Sequence, residues 1–297
     1  MQVSAPKVRT AVENDQIVPV FQPIVSLETG LVSGFEVLTR WKHPRQGLIL
    51  PTNFIELAEQ QGLIDLLTDK ILHTAFIVAR AAAPDSMLSV NISPIQLRNR
   101  LLPGRVRALC RETRWPVEQL TIEITETAII DNLDMASRVA ADLKSMGCRL
   151  AVDDFGTGYS SLLHLQSLPF DELKVDREFV REMPHKRESR KIVGAVLDLA
   201  RSLDLLTVAE GVENEEQCEM LFRLGCQFGQ GWLYGKAMPA IQLPRFTQCP
   251  TLCNCATFRA RDVEQEEHIE LAVSTPAAQL KAVYDSGMDC VLEPTNP

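Results

Sequence analysis

The sequence predicts an α/β fold, namely an irregular TIM-like (β/α)8 barrel with one antiparallel strand, plus a short C-terminal appendage. Eight short apolar runs alternate with longer amphipathic segments between residue 18 and about residue 240, which is typical of strands that alternate with helices. The first connection, SLETGLVSG, is too short for a crossover helix and contains a Thr-Gly turn signal. The first two strands are therefore expected to pair antiparallel as a hairpin. The alternation by itself also fits an open, doubly wound sheet.

Each predicted strand corresponds to one apolar run. In chain order the runs are VPVFQPIV, GFEVLTRW, SMLSVNIS, LTIEITE, RLAVDDF, ELKVD, LTVAEGV and CQFGQGWLY. Helical patterns between them include FIELAEQQGLIDLLTDKILHTAFIVARAA, MASRVAADLKSMG and KIVGAVLDLARSLD, and several end in Gly or at a Pro, as helices commonly do. The chain then divides into a lead-in at residues 1–14, a barrel at residues 15–247 and an acidic, cysteine-containing tail at residues 248–297.

Composition and charge narrow the class of protein. Of the 297 residues, 45% are apolar and 23% are charged, as in ordinary soluble globular proteins. The net charge of −9 argues against a nucleic-acid polymer or an anionic membrane surface as the main partner. The N-terminus lacks an apolar signal-peptide segment, and no run approaches ~18 apolar residues. We therefore expect a soluble, cytoplasmic protein without membrane insertion.

The C-terminal tail differs in character from the rest of the chain. From residue 251 onward, eight acidic side chains stand against three basic ones, which gives a net charge of −5. Cys249, Cys253 and Cys255 form a C-x3-C-x-C cluster that does not match paired zinc knuckles. A reduced tail is therefore favoured over a metal site completed by His268, and we expect an appendage that docks to a protein partner. The four cysteines before the tail lie in apolar or helical stretches and are expected to be small buried hydrophobic residues.

Polar side chains stand near the carboxyl ends of successive predicted strands. They are Glu36, Asn91, Glu123, Asp153, Asp154, Lys174, Glu210 and Gln230. In a barrel of mostly parallel strands these positions converge on one face, where the catalytic groups of this architecture lie. A single acid at a strand end is more often a helix cap or a solvated loop residue. That explanation is a poor one for five carboxylates with amides and a lysine on successive strands.

The chemistry of this set is that of hard metal ligands. Oxygen donors without convergent His or Cys favour Mg²⁺, Mn²⁺ or Ca²⁺ over zinc. Five carboxylates suit two divalent ions roughly 3.5–4 Å apart that share one bridging aspartate. Asp153 is placed to bridge, and Asp154 is placed to reach one ion where the chain begins to turn. Because such a pair of ions activates water and neutralises charge on a phosphoryl oxygen, the residues indicate a metal-dependent phosphohydrolase.

A series of short motifs carries a family resemblance. FQPIV, GFEVLTRW, VNIS, IEITE, VDDFGTGYSSL, LKVDREFV, AEGVE and GQGWLYGKAMP occur in this order from about residue 17 to residue 245. They resemble the successive motifs of the EAL-domain family of cyclic di-GMP-specific phosphodiesterases. The signature reads Glu-Val-Leu at residues 36–38 where the family has Glu-Ala-Leu, and GKAMP stands where an Arg-containing ending is commoner. Val37 is expected to point away from its neighbour Glu36, so the first change leaves the ligand set intact.

The resemblance implies a role for each site residue. The implied ligands of two Mg²⁺ or Mn²⁺ ions are Glu36, Asn91, Glu123, Asp153, Asp154 and Glu210. Lys174 is implied to position or deprotonate the attacking water, with Glu210 and Glu36 as the further catalytic residues. The implied substrate contacts are Gln22, Leu38, Arg40 and Gln230. Glu126 is implied to anchor the loop that follows Asp154.

The implied reaction is the hydrolysis of cyclic di-GMP to linear pGpG in bacterial second-messenger signalling. Ca²⁺, with its larger radius and looser coordination, is expected to occupy the same carboxylates and to inhibit turnover. The resemblance also implies a homodimer that forms through helices near residues 157–168 and 188–203. The alternative function is a non-catalytic cyclic di-GMP receptor that signals by conformation, and the complete set of site residues disfavours it.

Overall fold

Eight strands close into a ring in the computed structural model, which describes residues 4–125, 133–156, 165 and 168–248. The strands of the sheet are β1 (Ile17–Ser26), β2 (Val32–His43), β3 (Gly47–Ile49), β4 (Met87–Asn91), β5 (Leu120–Thr125), β6 (Arg149–Phe155), β7 (Glu172–Val175), β8 (Leu206–Ala209) and β9 (Phe228–Gln230). The ring runs β1, β2, β4, β5, β6, β7, β8, β9, and β9 pairs again with β1. This closure identifies a barrel and excludes the open sheet.

β1 is the antiparallel strand of the ring. It runs antiparallel to both β2 and β9, whereas the other neighbours around the ring are parallel. The predicted hairpin and the predicted irregular barrel are therefore confirmed. Gly30, with φ of +71°, supplies the left-handed residue that the turn between β1 and β2 requires. The register of the hairpin places Gln22 opposite Glu36, which brings two predicted site residues side by side.

β3 lies outside the ring and pairs antiparallel with the end of β2. The sequence patterns did not predict this strand. Its three residues, Gly47–Ile49, are too few to show a period of two.

Helices follow most of the strands. They are α1 (Ala5–Glu13), α2 (Ile55–Gln60), α3 (Ile64–Ala82), α4 (Pro94–Leu97), α5 (Leu102–Thr113), α6 (Leu133–Ser145), α7 (Arg177–Glu182), α8 (Arg187–Ser202), α9 (Glu215–Arg223) and α10 (Leu243–Gln248). Single 3₁₀ turns occur at Pro51–Asn53, Val117–Gln119 and Ala240–Gln242. α1 lies within the segment assigned to the lead-in, and its Val8, Ala11 and Val12 are buried in the same core as β1 and β2.

The single helix predicted over residues 54–82 is wrong, because the chain breaks into α2 and α3 at Gly62. Gly62 adopts φ of +64°, a left-handed conformation that glycine tolerates and that ends a helix. Its N–H donates to the carbonyl of Glu59, and the N–H of Leu63 donates to the carbonyl of Ala58. These two bonds form a Schellman cap on α2, so the apolar period restarts at a new angle in α3.

Two clusters of buried apolar side chains join the sheet to its helices. In the larger cluster, Leu72 and Phe76 of α3 pack with residues of β4 and β5. In the second, Val193 and Leu197 of α8 pack with Leu173 of β7. Inward residues of α8 recur every three or four positions, as on one face of an amphipathic helix. The helices therefore hold the strands, and with them the strand ends, in fixed positions.

The cysteines of the described residues behave as small hydrophobic side chains. Cys110, Cys148 and Cys226 are buried free thiols, and Cys218 is half-buried. The tail cluster Cys249, Cys253 and Cys255, together with His268, lies outside the described residues. Among the helices that the structure describes, none is long and apolar enough to cross a bilayer.

Candidate active site at the carboxyl ends of the strands

The barrel brings the predicted site residues together at one mouth. The strands carry Glu36 on β2, Asn91 on β4, Glu123 on β5, Asp153 and Asp154 on β6, Lys174 on β7 and Gln230 on β9, and Glu210 directly follows β8. The parallel register of β4 and β5 places Asn91 opposite Glu123. Because the ring is closed, side chains that are far apart in sequence face each other across this mouth.

Lys174 lies at the centre of the cluster and is fully buried. Its Nζ is 2.6 Å from Glu210 Oε1, 2.9 Å from Glu123 Oε2, 3.4 Å from Asp153 Oδ1 and 3.9 Å from Glu36 Oε2. Burial lowers the pKa of Lys174, but these four carboxylates outweigh burial, so the pKa lies well above its ordinary value. One ammonium therefore faces four carboxylates, and the cluster has more negative than positive charge.

Glu123 is the carboxylate at which the acidic cluster most clearly lacks a compensating positive charge. Its side chain is fully buried, Oε2 has only the ion pair with Lys174 Nζ at 2.9 Å, and Oε1 has no hydrogen-bond partner within the described residues. Burial raises the pKa of Glu123 well above its usual range; Lys174 opposes this shift, and Glu36, Asp153 and Glu210 add to it. A buried carboxylate is costly unless a cation accompanies it, and the one ammonium near Glu123 is shared with three other carboxylates.

Two amide side chains, those of Asn91 and Gln230, orient Glu36. Asn91 donates from Nδ2 to Glu36 Oε1 at 2.6 Å, and Gln230 donates from Nε2 to Glu36 Oε2 at 2.5 Å. Gln230 Nε2 also lies 3.4 Å from Gln22 Oε1, and Gln22 Nε2 donates to the carbonyl of Gly235 at 3.2 Å. The predicted ligands Glu36 and Asn91 and the predicted substrate contacts Gln22 and Gln230 thus form one connected group.

The backbone conformation of Asp154 allows the side chains of Asp153 and Asp154, which are adjacent in sequence, to face the same site. Neighbouring side chains on a strand point to opposite faces, but Asp154 adopts φ of +54°, a left-handed conformation that is uncommon for a residue other than glycine. Its N–H donates to Asp153 Oδ1 at 3.0 Å. One carboxylate oxygen each of Asp153, Asp154 and Glu210 lies within 4.8 Å of the others. Burial, together with Asp153 and Asp176, raises the pKa of Asp154 to about 6.

Asp176 is a neighbour of the site that the sequence reasoning missed. Its buried carboxylate caps α7 by accepting from the N–H of Glu178 at 2.6 Å, and its side chain also hydrogen-bonds with Asp154. The signal was present in the sequence, since Asp176 stands two residues after Lys174 and therefore on the same side of the strand end.

Leu38 and Arg40 follow Glu36 at two-residue intervals and therefore share its face of β2. Both are partly buried. Arg40 donates to the carbonyl of Thr39 at 2.8 Å, and no carboxylate of the described residues lies within ion-pair distance of it. Burial lowers the pKa of Arg40, and the charge of Glu36 acts in the opposite direction. The guanidinium thus stands near the cluster without a carboxylate partner in this part of the chain.

The donor set fits divalent cations. It consists of carboxylate and amide oxygens, and in the cluster as described only Lys174 opposes the carboxylate charge. The unpartnered Oε1 of Glu123 and the convergent oxygens of Asp153, Asp154 and Glu210 are the positions where positive charge is missing. Hard cations with oxygen ligands, such as Mg²⁺ and Mn²⁺, match this set. Glu126, the predicted loop anchor, lies outside the described residues.

The fold and the site together define a class: a TIM-like barrel whose mouth holds a buried acidic cluster able to bind divalent cations. The chain belongs to the EAL domain family, whose model matches residues 5–237. The expected family is thereby confirmed.

Individual relatives are similar over the same region. The chain is 42% identical over 240 residues to the bifunctional diguanylate cyclase/cyclic di-GMP phosphodiesterase MucR of Pseudomonas aeruginosa, and the match covers 79% of this chain and 35% of that protein. It is 37% identical over 230 residues to the cyclic di-GMP phosphodiesterase RocR of the same organism, which covers 76% of this chain and 59% of RocR. The chain spans about a quarter to a third of the length of the first curated relatives.

Solved structures show the same fold. A structure described as a PaMucR phosphodiesterase in complex with c-di-GMP has a TM-score of 0.76 at 40% identity, and the match covers 80% of this chain and 98% of that one. An EAL domain protein from Listeria monocytogenes has a TM-score of 0.73 at 27% identity and matches over 82% of this chain and 98% of its own.

Proposed function

We propose that this protein is a metal-dependent phosphodiesterase that hydrolyses cyclic di-GMP to linear pGpG in bacterial second-messenger signalling. The observation that carries the proposal is the arrangement around Lys174, whose Nζ lies 2.6–3.9 Å from four carboxylates at the mouth of an EAL-family barrel. Relatives named as cyclic di-GMP phosphodiesterases, and a similar structure described as a c-di-GMP complex, support the substrate.

The acidic cluster would hold two Mg²⁺ or Mn²⁺ ions. The ligands would be Glu36, Asn91, Glu123, Asp153, Asp154 and Glu210. Asp153 is suited to be the shared ligand, because one of its oxygens faces Lys174 beside Glu36 and Glu123 while the residue also belongs to the convergent group with Asp154 and Glu210. When bound, the two ions would activate a water molecule and offset the charge that develops on the phosphoryl oxygens.

The substrate would be held by side chains around the acidic cluster. Arg40 suits a phosphate oxygen, because its planar guanidinium can donate two parallel hydrogen bonds and has no carboxylate partner among the described residues. Leu38, two positions earlier on the same face, would supply an apolar contact. Gln22 and Gln230 would orient the ligand through their amides; Gln230 donates to Glu36 and contacts Gln22.

Lys174 and Glu210 would position the attacking water. Lys174 would donate an N–H to that water, and Glu210, whose Oε1 lies 2.6 Å from Nζ, would accept from it, while Glu36 holds the opposite side of the cluster. The water oxygen forms a bond to phosphorus, the bond between phosphorus and the 3′ oxygen breaks, and one proton given up by the water ends on that 3′ oxygen as a hydroxyl, so that the ring opens to linear pGpG. In-line geometry of this kind depends on rigid side chains, which the buried cluster supplies.

We further infer a cytoplasmic homodimer with a protein partner for the tail. A cytoplasmic location follows from the proposed second-messenger substrate. Of the two expected dimer segments, most of residues 157–168 lies outside the described residues, whereas residues 188–203 include most of α8, which exposes Ile192. Residues 248–297 would bind the partner. Light scattering of the full chain, and of an Ile192→Glu variant, tests the dimer.

Product formation tests the proposed function. Purified protein is incubated with cyclic di-GMP and either Mg²⁺ or Mn²⁺, and linear pGpG is followed by chromatography, with a chelator arm as the control. We expect pGpG with either ion and none with chelator. Binding without product in every divalent ion would establish the receptor function instead. Neither binding nor product would show that the substrate is a different phosphodiester.

A further inference from the structure

Trp232 is a large aromatic side chain at the surface to which the proposed mechanism assigns no role. Its exposed fraction is 65%, although an indole is among the side chains that gain most from burial. It stands two residues after Gln230, whose side chain lies inside the cluster. An exposed aromatic residue beside a candidate site is a feature that a ligand can use.

Three hydrogen bonds place the loop of Trp232 on the rim of the mouth. The N–H of Val212, two residues after Glu210, donates to the carbonyl of Gln230 at 3.0 Å, and the N–H of Leu233 donates to the carbonyl of Val212 at 3.0 Å. On the other side of the loop, Gln22 Nε2 donates to the carbonyl of Gly235 at 3.2 Å. The loop that carries Trp232 therefore runs between the strand that carries Gln22 and the loop that carries Glu210.

The loop presents the indole on a rigid support. At Gly231 the backbone approaches Val212 so closely that an added Cβ would lie 2.1 Å from the Val212 carbonyl oxygen. Tyr234, two residues beyond Trp232, is buried in the second apolar cluster. Gly231 is packed against the backbone of Val212 and Tyr234 is buried, so the loop on both sides of Trp232 is fixed. Stacking of a base on Trp232 would therefore require little ordering of the loop.

Lys236 adds a positive charge to this rim. Its Nζ lies 5.6 Å from the centroid of the Trp232 ring, within cation–π distance. Among the described residues, Lys236 makes no ion pair. An indole beside an ammonium matches a ligand that combines a flat purine base with a phosphate, since the base stacks on the ring and the ammonium attracts the anion.

We propose that Trp232 and Lys236 form a nucleobase platform on the rim, on which one guanine of the substrate stacks while Lys236 attracts the neighbouring phosphate. This inference rests on the proposed function, because it names the part of the substrate that this rim would bind. It assigns Trp232 to substrate affinity and leaves the metal cluster and the chemical step unaffected.

The test compares Trp232→Ala and Trp232→Phe with the wild type. We expect KM for cyclic di-GMP to rise about tenfold in the alanine variant and to recover in the phenylalanine variant, since loss of one base–aromatic stack has about this effect. We expect kcat to change by less than about twofold, because the stack is made equally in the ground and transition states. Lys236→Gln should raise KM as well, with a weaker dependence on salt.

Controls separate a platform from a distorted loop. Phe222→Ala removes another exposed aromatic side chain, 50% exposed on α9, and should leave KM and kcat unchanged. Mn²⁺ affinity, measured by calorimetry on the wild type and on Trp232→Ala, should be equal. An unchanged KM in Trp232→Ala, or a loss of Mn²⁺ affinity in it, would overturn the platform.

Binding and hydrolysis of cyclic di-GMP by the wild type test the proposed function independently of the platform. If it binds cyclic di-GMP without hydrolysing it, the platform is tested by the dissociation constants of the same variants in Ca²⁺, where we again expect about a tenfold loss for Trp232→Ala. If the wild type neither binds nor hydrolyses cyclic di-GMP, the proposed function and the platform both fail.

Discussion

Lys174 Nζ and Glu210 Oε1 lie 2.6 Å apart, the shortest of the four ion pairs that Lys174 makes. Lys174 belongs to β7 and Glu210 follows β8, so the pairing of two neighbouring parallel strands creates this contact. Burial raises the pKa of Glu210, and the charge of Lys174 opposes this shift. The ion pair therefore offsets part of the cost of burying this carboxylate, and it makes the cluster sensitive to the removal of either partner.

Replacement of Lys174 should affect both rate and stability. In Lys174→Met we expect turnover to fall about 10²–10³-fold, because a preorganised donor to the attacking water is lost. Binding of cyclic di-GMP in Ca²⁺ should change by less than about threefold, because Lys174 contacts the water and not the substrate. Turnover and calorimetric binding measure these two quantities. Wild-type turnover in this variant would contradict the assigned role.

The same variant tests the charge balance of the cluster. In chelator, Lys174→Met should lower the free energy of unfolding by about 3–5 kcal/mol, because one partner of a buried charge cluster is removed. Added Mn²⁺ should stabilise this variant more than the wild type. Lys186→Met serves as the matched control, since Lys186 is exposed and pairs only with Glu182 among the described residues. Thermal unfolding with and without Mn²⁺ gives the comparison.

Asp153→Asn should abolish hydrolysis while the barrel remains folded. The change removes charge from the ligand that would be shared by both ions, and we expect turnover below about 1% of wild type. Calorimetry should show weaker Mn²⁺ binding. Asp198→Asn, an exposed acid on α8, is the control and should behave as the wild type. Full turnover in Asp153→Asn would remove Asp153 from the metal site.

Ca²⁺ should support binding without turnover. Its larger radius and looser coordination allow it to occupy the carboxylates but not to hold a water in line with the scissile bond. We expect cyclic di-GMP to bind in Ca²⁺ and pGpG to form only in Mg²⁺ or Mn²⁺. Titration of Ca²⁺ into a Mn²⁺ reaction should inhibit it competitively with the metal. Rapid hydrolysis in Ca²⁺ alone would contradict this part of the proposal.

Glu172 should make the fold less stable as the pH rises. Burial raises its pKa from 4.5 to about 7, with Lys174 and Arg149 opposing, and its Oε1 has no hydrogen-bond partner in the described part of the chain. Because the folded state favours the protonated form, the contribution of Glu172 is most favourable below pH 4.5 and is lost as the pH rises through about 7.

Glu172→Gln isolates this effect. The variant should match the wild type near pH 5 and exceed it at pH 8 by about 2–3 kcal/mol in free energy of unfolding. Denaturant unfolding at several pH values measures the difference. Glu28→Gln, in the exposed turn between β1 and β2, should show no such trend. A difference between Glu172→Gln and wild type that stays constant with pH would contradict the argument.

Much of the fold was readable from local patterns. Apolar runs of five to nine residues marked the strands, and the short connection SLETGLVSG predicted the hairpin of β1 and β2. The break at Gly62 was missed because the apolar period continues on both sides of it, although the glycine itself was a signal. β3 was missed because three residues show no period.

The sequence by itself determined the residues of the candidate site, because strand ends are marked by a change from apolar to polar side chains. Only the tertiary structure decided that the sheet closes, since closure depends on pairing between Ile24 and Gln230, which are far apart in the chain. It also decided that Asp154 turns toward Glu210 and that Asp176 lies beside it. A period along the chain reports which face a side chain occupies, whereas distances across the mouth depend on contacts between distant segments.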